Sequence, residues 1–96
     1  MKWVEVRNMK NLKKEINDHK SKVGRKIPFN LDINTGTFSL VTVSIDVSQK
    51  QFIEACQKFL NGLKNNKRKG YINLYMCDYF ISAHFRDMGD DRRFKK

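Results

Sequence analysis

The sequence predicts an α+β domain in which two helices cover one face of an antiparallel sheet. Two segments carry apolar residues at three- and four-residue spacing, and they are separated by segments in which apolar and polar residues alternate singly. The chain of 96 residues is long enough for one core and too short for a second. Its 40% apolar content suits a compact core, so global disorder is not expected.

The chain begins with a predicted strand and helix. Over residues 2–7, Val4 and Val6 alternate with other residues, which predicts a short strand with one apolar face. Asn8 is a favoured residue at a helix N-cap, and Gly24 is a favoured residue just beyond a helix end. A helix is therefore predicted between them, with lysines along its outer side.

A β-hairpin is predicted next. Residues 27–33 alternate between apolar and polar, although Pro28 cannot donate to a strand ladder, so this strand either starts late or lies at an edge. The segment 34–36 has the composition of a turn. The partner strand is predicted over residues 37–47, where a change in apolar parity indicates a bulge or burial on both faces.

A second helix is predicted after Ser48. Ser48 and Gln51 fit a capping box, and the apolar residues that follow predict a helix ending near Leu63. Its apolar stripe comprises Phe52, Ile53, Cys56, Phe59, Leu60 and Leu63. The segment 65–70 is rich in Asn, Lys and Arg, and it is predicted to be a basic turn.

Residues 71–85 have two interpretations. As strand, the segment is a hairpin that turns near residues 77–78, or one long bent strand; as helix, its apolar spacing is also acceptable. Its richness in aromatic and β-branched residues favours strands. The inward rows are then Ile72, Leu74 and Met76, followed by Tyr79, Ile81, Ala83 and Phe85.

The resulting order is β-α-β-β-α-β, with the last strand unit doubled if 71–85 is a hairpin. This order is that of the ferredoxin-like, split βαβ arrangement, or of a related small sandwich with another connectivity. Residues 1–88 are predicted to form the compact domain. Residues 89–96 are a polar, basic segment that is predicted to be a mobile tail.

The charge balance points to an acidic partner. Twenty Lys and Arg stand against ten Asp and Glu, which gives a net charge of +10. Such a charge attracts polyanions, so binding of nucleic acid, RNA or a single strand before duplex DNA, is the first prediction, and an acidic protein bound by an interaction module or inhibitor is the alternative. The N-terminus has no apolar leader, and no apolar run approaches a membrane span, so a cytoplasmic protein without a membrane partner is expected.

Aromatic residues supply candidate positions for nucleic-acid binding. If the helices cover one face of the sheet, the outward residues form the other face, where exposed rings are costly unless something stacks on them. Nucleic-acid bases can do so. The candidate stacking residues are Trp3, Tyr71, Tyr75, Phe80 and His84. The alternative is that these rings cover a small core or form a homodimer contact.

Basic residues supply candidate phosphate contacts. Three consecutive cations next to a glycine are the first candidates, and further cations lie after the first helix and in the tail. The predicted phosphate-binding residues are Lys67, Arg68, Lys69, Arg25, Lys26, Arg92 and Arg93.

Motifs for catalysis, cofactors and metals are absent from the sequence. Cys56 and Cys77 do not have metal-ligand spacing, and there is no Gly-rich phosphate loop, GxSxG or HExxH. No cofactor and no metal site are therefore predicted. A metal-independent ribonuclease with His84 as its base is the third functional hypothesis, with Tyr75 or Tyr79 and Arg86 as assisting groups.

Overall fold

The computed structural model of the chain describes residues 2–34 and 42–90. Within these residues the predicted α+β class is confirmed, and the segment 71–85 is a hairpin. The elements are β1 (Lys2–Val6), α1 (Met9–Val23), β2 (Phe29–Asn34), β3 (Thr42–Val47), α2 (Gln49–Asn65), β4 (Arg68–Met76) and β5 (Ile81–Asp90).

The five strands form one mixed sheet in the order β1-β4-β5-β2-β3. Three neighbouring pairs are antiparallel, whereas β2 and β5 are parallel. The predicted all-antiparallel sheet is therefore wrong for that pair, and the ferredoxin-like order is not confirmed. The reason is that the β4–β5 hairpin lies between β1 and β2. Alternation along a strand determines which face its side chains occupy, but it does not specify the neighbouring strand.

Both helices begin where the sequence predicts and α1 also ends there, whereas α2 ends at Asn65, two residues beyond the predicted Leu63. The Asn8 side chain accepts a hydrogen bond from the Asn11 amide at 2.8 Å, and Gly24 closes α1 in the left-handed conformation with φ of 73°. Ser48 and Gln51 form a capping box, with hydrogen bonds of 3.0 and 3.1 Å in the two directions. Local capping chemistry therefore sets the helix boundaries.

The core lies between the two helices and one face of the sheet. Leu12 and Ile16 from α1, and Phe52 and Cys56 from α2, are buried in the same cluster as the inward residues of the strands. Those strand residues are Val6, Phe29, Leu31, Ile72, Leu74, Met76, Ile81 and Ala83. Since these strand residues share one face, both helices cover that face, as predicted.

Several local predictions need correction. Tyr79 does not join the inward row but lies in the turn between β4 and β5, with 76% of its surface exposed. The predicted basic turn is shorter than expected, because Arg68 and Lys69 already belong to β4. Of the two alternatives for the strand at Pro28, the late start is confirmed, because β2 begins at Phe29 and lies inside the sheet.

Some expectations fall wholly or partly outside the described residues. They are the turn at 34–36, the parity change within 37–47 and the tail from residue 91 onward. β5 itself continues through Gly89 and Asp90. Neither described helix is long and apolar enough to cross a membrane. Cys56 and Cys77 are both buried free thiols.

Candidate functional site

The side of the sheet that faces away from the two helices is the candidate site. We call it the open face and define it on the three strands β1, β4 and β5. Its residues are Trp3, Glu5, Tyr71, Asn73, Tyr75, Ser82, His84 and Arg86, together with Arg7 after β1, Phe80 before β5 and Lys69 at the start of β4. Strand alternation separates these residues from the buried inward rows.

Strand register brings the open-face residues into rows. In one row Trp3 lies opposite Tyr75, which in turn lies opposite Ser82. In the next row Asn73 lies between Glu5 and His84. Residues that are far apart in the sequence thus become direct cross-strand neighbours, with Cβ atoms about 5 Å apart.

Four of the five predicted stacking residues form one contiguous aromatic cluster, which consists of Trp3, Tyr75, Phe80 and His84. The Trp3 ring lies 4.8 Å from Tyr75 and 5.1 Å from His84, measured between ring centroids. The Tyr75 ring also lies 5.6 Å from that of Phe80. Trp3 remains 56% exposed, so a large aromatic surface is available to a ligand.

The fifth predicted ring, Tyr71, lies apart from the cluster and among cations. The Arg7 guanidinium sits over the Tyr71 ring at 5.1 Å, and Arg86 lies opposite Tyr71 in the register. Lys69 is two residues away on the same side of β4. We call Arg7, Lys69 and Arg86 the basic end. Tyr71 lies four positions from Tyr75 on β4, about 13 Å along the strand, whereas Arg86 lies two positions from His84 on β5, which brings the basic end to about 7 Å from the aromatic cluster.

One carboxylate, that of Glu5, reduces the positive charge at the basic end of the open face. The Glu5 Oε2 atom accepts hydrogen bonds from the Arg7 Nε and Nη2 atoms at 3.0 and 2.6 Å. Both side chains are well exposed, so water screens the ion pair. The pair leaves both charges at the surface.

The fold divides the first set of predicted phosphate-binding residues, the run 67–69. Lys69 is on the open face, whereas Arg68 alternates to the helix-covered side, where its Nε donates to Asp87 Oδ2 at 2.8 Å. The Arg68 hydrogen bond, with a second from the Gly89 amide, lowers the pKa of the Asp87 carboxyl. Lys67 occupies the preceding turn with a positive φ of 51°.

The other predicted phosphate residues do not join this group. Arg25 lies beyond the opposite end of β4, a strand about 26 Å long from Arg68 to Met76. Its Nη2 atom donates a hydrogen bond to the carbonyl of Asp78 there. The same guanidinium is 6.0 Å from the Tyr79 ring. Lys26 follows Arg25 directly, and Arg92 and Arg93 lie outside the described residues. The structure therefore places the predicted cations in at least two separate regions.

Sequence reasoning missed Arg7 and Arg86 as candidate phosphate ligands. Both are single cations, whereas the predicted phosphate ligands are consecutive basic residues. The signal was strand parity: each falls on the same side of its strand as the outward aromatic residues. The Nε2 atom of His19 lies 2.8 Å from the Cys77 carbonyl oxygen, and this contact joins α1 to the β4–β5 turn.

The candidate base His84 is part of the aromatic cluster. Its Nε2 atom lies 3.3 Å from the Ser82 hydroxyl, and its ring contacts Trp3. Of the proposed assisting groups, Tyr75 and Arg86 share the open face, whereas Tyr79 lies in the β4–β5 turn beside Arg25. Among the described residues no group of three or more His, Cys, Asp or Glu side chains is placed to hold a metal ion.

Comparison of the chain with protein-family models, with curated proteins and with solved structures finds no match. The role of the open face therefore has to follow from its own chemistry.

Proposed function

We propose that the protein binds single-stranded nucleic acid, with RNA as the first ligand to test, on the open face of its sheet. The observation that carries the proposal is the combination of the aromatic cluster and the basic end on one surface that neither described helix covers. Unpaired bases stack on aromatic rings, and the cations neutralise the phosphates that link those bases. The two parts of the site thus match the two parts of a nucleotide chain.

A single strand suits this surface better than a duplex. The rings of a sheet present flat faces, and only bases that are released from pairing and stacking can lie against them. Trp3 is 56% exposed, so a base can reach it without rearrangement of the sheet. In a duplex the base faces are already stacked on one another, which leaves the phosphates as the groups available to the basic end.

Charge favours a polyanion over a second copy of the chain as the occupant. Each chain carries a net charge of +10, so two chains would repel each other if their basic ends met in a dimer. A nucleic acid is instead attracted by this positive charge, and its binding releases counterions. The ion pair between Arg7 and Glu5 only partly offsets the positive potential there, because Lys69 and Arg86 lie on the same side of the sheet.

The test compares Trp3→Ala with Tyr79→Ala in binding to a fluorescently labelled RNA of twelve nucleotides. Trp3 belongs to the aromatic cluster, whereas Tyr79 is an exposed ring in the β4–β5 turn and serves as the matched control. Loss of one stacked base weakens binding by about 1–3 kcal/mol. We therefore expect Trp3→Ala to bind roughly 5- to 150-fold more weakly, and Tyr79→Ala to bind like the wild type.

Salt dependence separates the two parts of the site. The wild-type affinity should fall steeply with salt, while the Trp3→Ala deficit persists at high salt because stacking is not ionic. Absence of salt-dependent binding to RNA and DNA oligonucleotides rules the proposal out. Recovery of one stoichiometric acidic protein from nuclease-treated lysate, without oligonucleotide binding, supports an interaction module or inhibitor instead.

The same assay tests the ribonuclease hypothesis. If the protein cleaves the labelled RNA, His84→Ala should abolish cleavage while part of the binding is retained. Unchanged cleavage in that variant removes His84 from any catalytic role.

A further inference from the structure

One polar residue lies in the middle of the open face. Asn73 is half-buried between Tyr71 and Tyr75 on β4, and in the register Glu5 lies on one side of it and His84 on the other. Its side-chain amide makes no hydrogen bond within residues 2–34 and 42–90 of the protein. An amide left without a partner at the centre of a binding surface has a donor and an acceptor available for a ligand.

We infer that Asn73 and Glu5 select the base that the open face binds, favouring adenine or cytosine over uracil. The inference rests on the proposed binding of single-stranded nucleic acid and adds its specificity. In single-strand recognition the rings hold a base by its face, and neighbouring polar groups read its edge. Asn73 is placed for that second task because Tyr71 and Tyr75 lie two residues away on either side of it.

The amide by itself does not choose among bases. Adenine and cytosine present an amine beside a ring-nitrogen acceptor, whereas uracil presents a carbonyl beside a ring N–H. Asn73 can satisfy either arrangement, because rotation of its amide exchanges the positions of the oxygen and the nitrogen. A second group must therefore provide the discrimination.

Glu5 is that group. Glu5 lies on the adjacent strand directly opposite Asn73, with Cβ atoms about 5 Å apart, so its carboxylate is within reach of a base that Asn73 contacts. A carboxylate accepts a hydrogen bond from an exocyclic amine, as Asp and Glu do with cytosine, and it repels a carbonyl oxygen. The hydrogen bonds from Arg7, at 3.0 and 2.6 Å, hold this carboxylate on the open face.

The experiment measures binding of three labelled oligonucleotides of ten nucleotides each, made of adenine, cytosine or uracil, to the full-length protein. The decisive comparison is cytosine against uracil, because the two pyrimidines stack with rings of equal size and differ at the exocyclic group. A bidentate contact to the correct base edge discriminates by roughly 5- to 150-fold. The wild type is therefore expected to bind the cytosine strand at least about fivefold more tightly than the uracil strand.

Two variants assign the preference to its source. Asn73→Ala removes an amide that can bind either kind of base edge, so it should weaken binding of all three strands and leave the cytosine-to-uracil ratio above one, because Glu5 is intact. Glu5→Gln keeps the shape of the side chain but removes its charge, so it should strengthen binding of uracil and bring that ratio close to one. Glu54→Gln makes the same charge change on the exposed side of α2 and should leave the ratio unchanged.

The outcomes distinguish failure of the inferred base preference from failure of the proposed nucleic-acid binding. If the wild type binds none of the strands, both the proposed function and the inference are overturned. If it binds all three strands equally, if its preference survives in Glu5→Gln, or if Asn73→Ala leaves the affinity for every strand unchanged, the inference fails and the proposed function stands. Thermal unfolding of each variant verifies that it is folded. If Asn73→Ala does not fold, Glu5→Gln alone still tests the inference.

Discussion

The two faces of the sheet use the same strands in different ways, and β4 shows the contrast within a single segment. Ile72, Leu74 and Met76 point towards the helices and are buried. Tyr71 and Tyr75 alternate with them, point away and are only half-buried. The helix-covered face is apolar and includes Phe29 and Phe85 beside its aliphatic residues, whereas the open face carries aromatic, polar and charged side chains. Stability should therefore depend mainly on the first face, and binding on the second.

The largest expected effect is on the covered face. Leu74 is fully buried in the core, so Leu74→Ala leaves a cavity and should lower the free energy of unfolding by about 2–5 kcal/mol. Its neighbour Asn73 alternates to the open face, where Asn73→Ala should change this free energy by less than about 1 kcal/mol. Urea denaturation of the two variants, followed by fluorescence of Trp3, measures both values. Equal losses in the two variants would contradict the division between faces.

A smaller effect is expected where β4 meets α2. A Cβ atom added at Gly70 would lie 2.4 Å from the Arg86 carbonyl oxygen and 2.9 Å from the Leu63 Cδ1 atom. Since a backbone oxygen cannot easily move aside, Gly70→Ala should destabilise the protein by about 1–3 kcal/mol.

Gly62 provides the matched control for Gly70. It lies within α2, and a Cβ atom there would meet nothing within 4 Å among the described residues. Alanine is the better helix former, so Gly62→Ala should stabilise the protein by about 0.5–1 kcal/mol. Thermal unfolding compares the two variants, and a shift of the same sign in both would show that the close approach at Gly70 is not as described.

The smallest expected effect concerns the ion pair between Arg68 and Asp87. Both side chains are about two-fifths exposed, at 42% and 41%, so Arg68→Gln should cost less than about 1 kcal/mol. In the folded protein the Arg68 hydrogen bond lowers the pKa of Asp87. Its stabilising contribution is therefore present above the ordinary carboxyl pKa, and it is lost as the pH falls through the lowered value.

The pH dependence follows from that sign. Acidification should remove more stability from the wild type than from Arg68→Gln, in which the pKa of Asp87 rises towards its ordinary value. A carboxyl titration by NMR, together with unfolding at neutral and acidic pH, measures both quantities. An unchanged Asp87 pKa in the variant would show that the cause lies elsewhere, for example in the Gly89 amide.

Local sequence signals predicted most of the elements but not their arrangement. Asn8, Gly24 and Ser48 mark helix ends because capping depends on residues only a few positions apart. The parallel pairing of β2 with β5 depends on where the β4–β5 hairpin inserts, which is a long-range property. Tyr79 was misplaced for a related reason. The turn spans residues 77–80, whereas the sequence indicated a turn at Cys77 and Asp78 alone.

The candidate site shows the same division. Parity along each strand was enough to place Trp3, Tyr75 and His84 on one face, and register then brought them into contact. The cations were harder to predict, because a run such as residues 67–69 alternates between faces once it enters a strand. Arg86 became a candidate phosphate ligand only when the register placed it beside Tyr71.

The most direct test of the central claim is an NMR titration of isotope-labelled protein with a single-stranded RNA. Binding on the open face predicts saturable shifts at the Trp3 indole and at the amides of Tyr71, Asn73 and Tyr75. The amides of Glu54 and Lys58, on the exposed side of α2, should stay unchanged. Shifts confined to α2, or no saturable shift at any RNA concentration, would contradict the account.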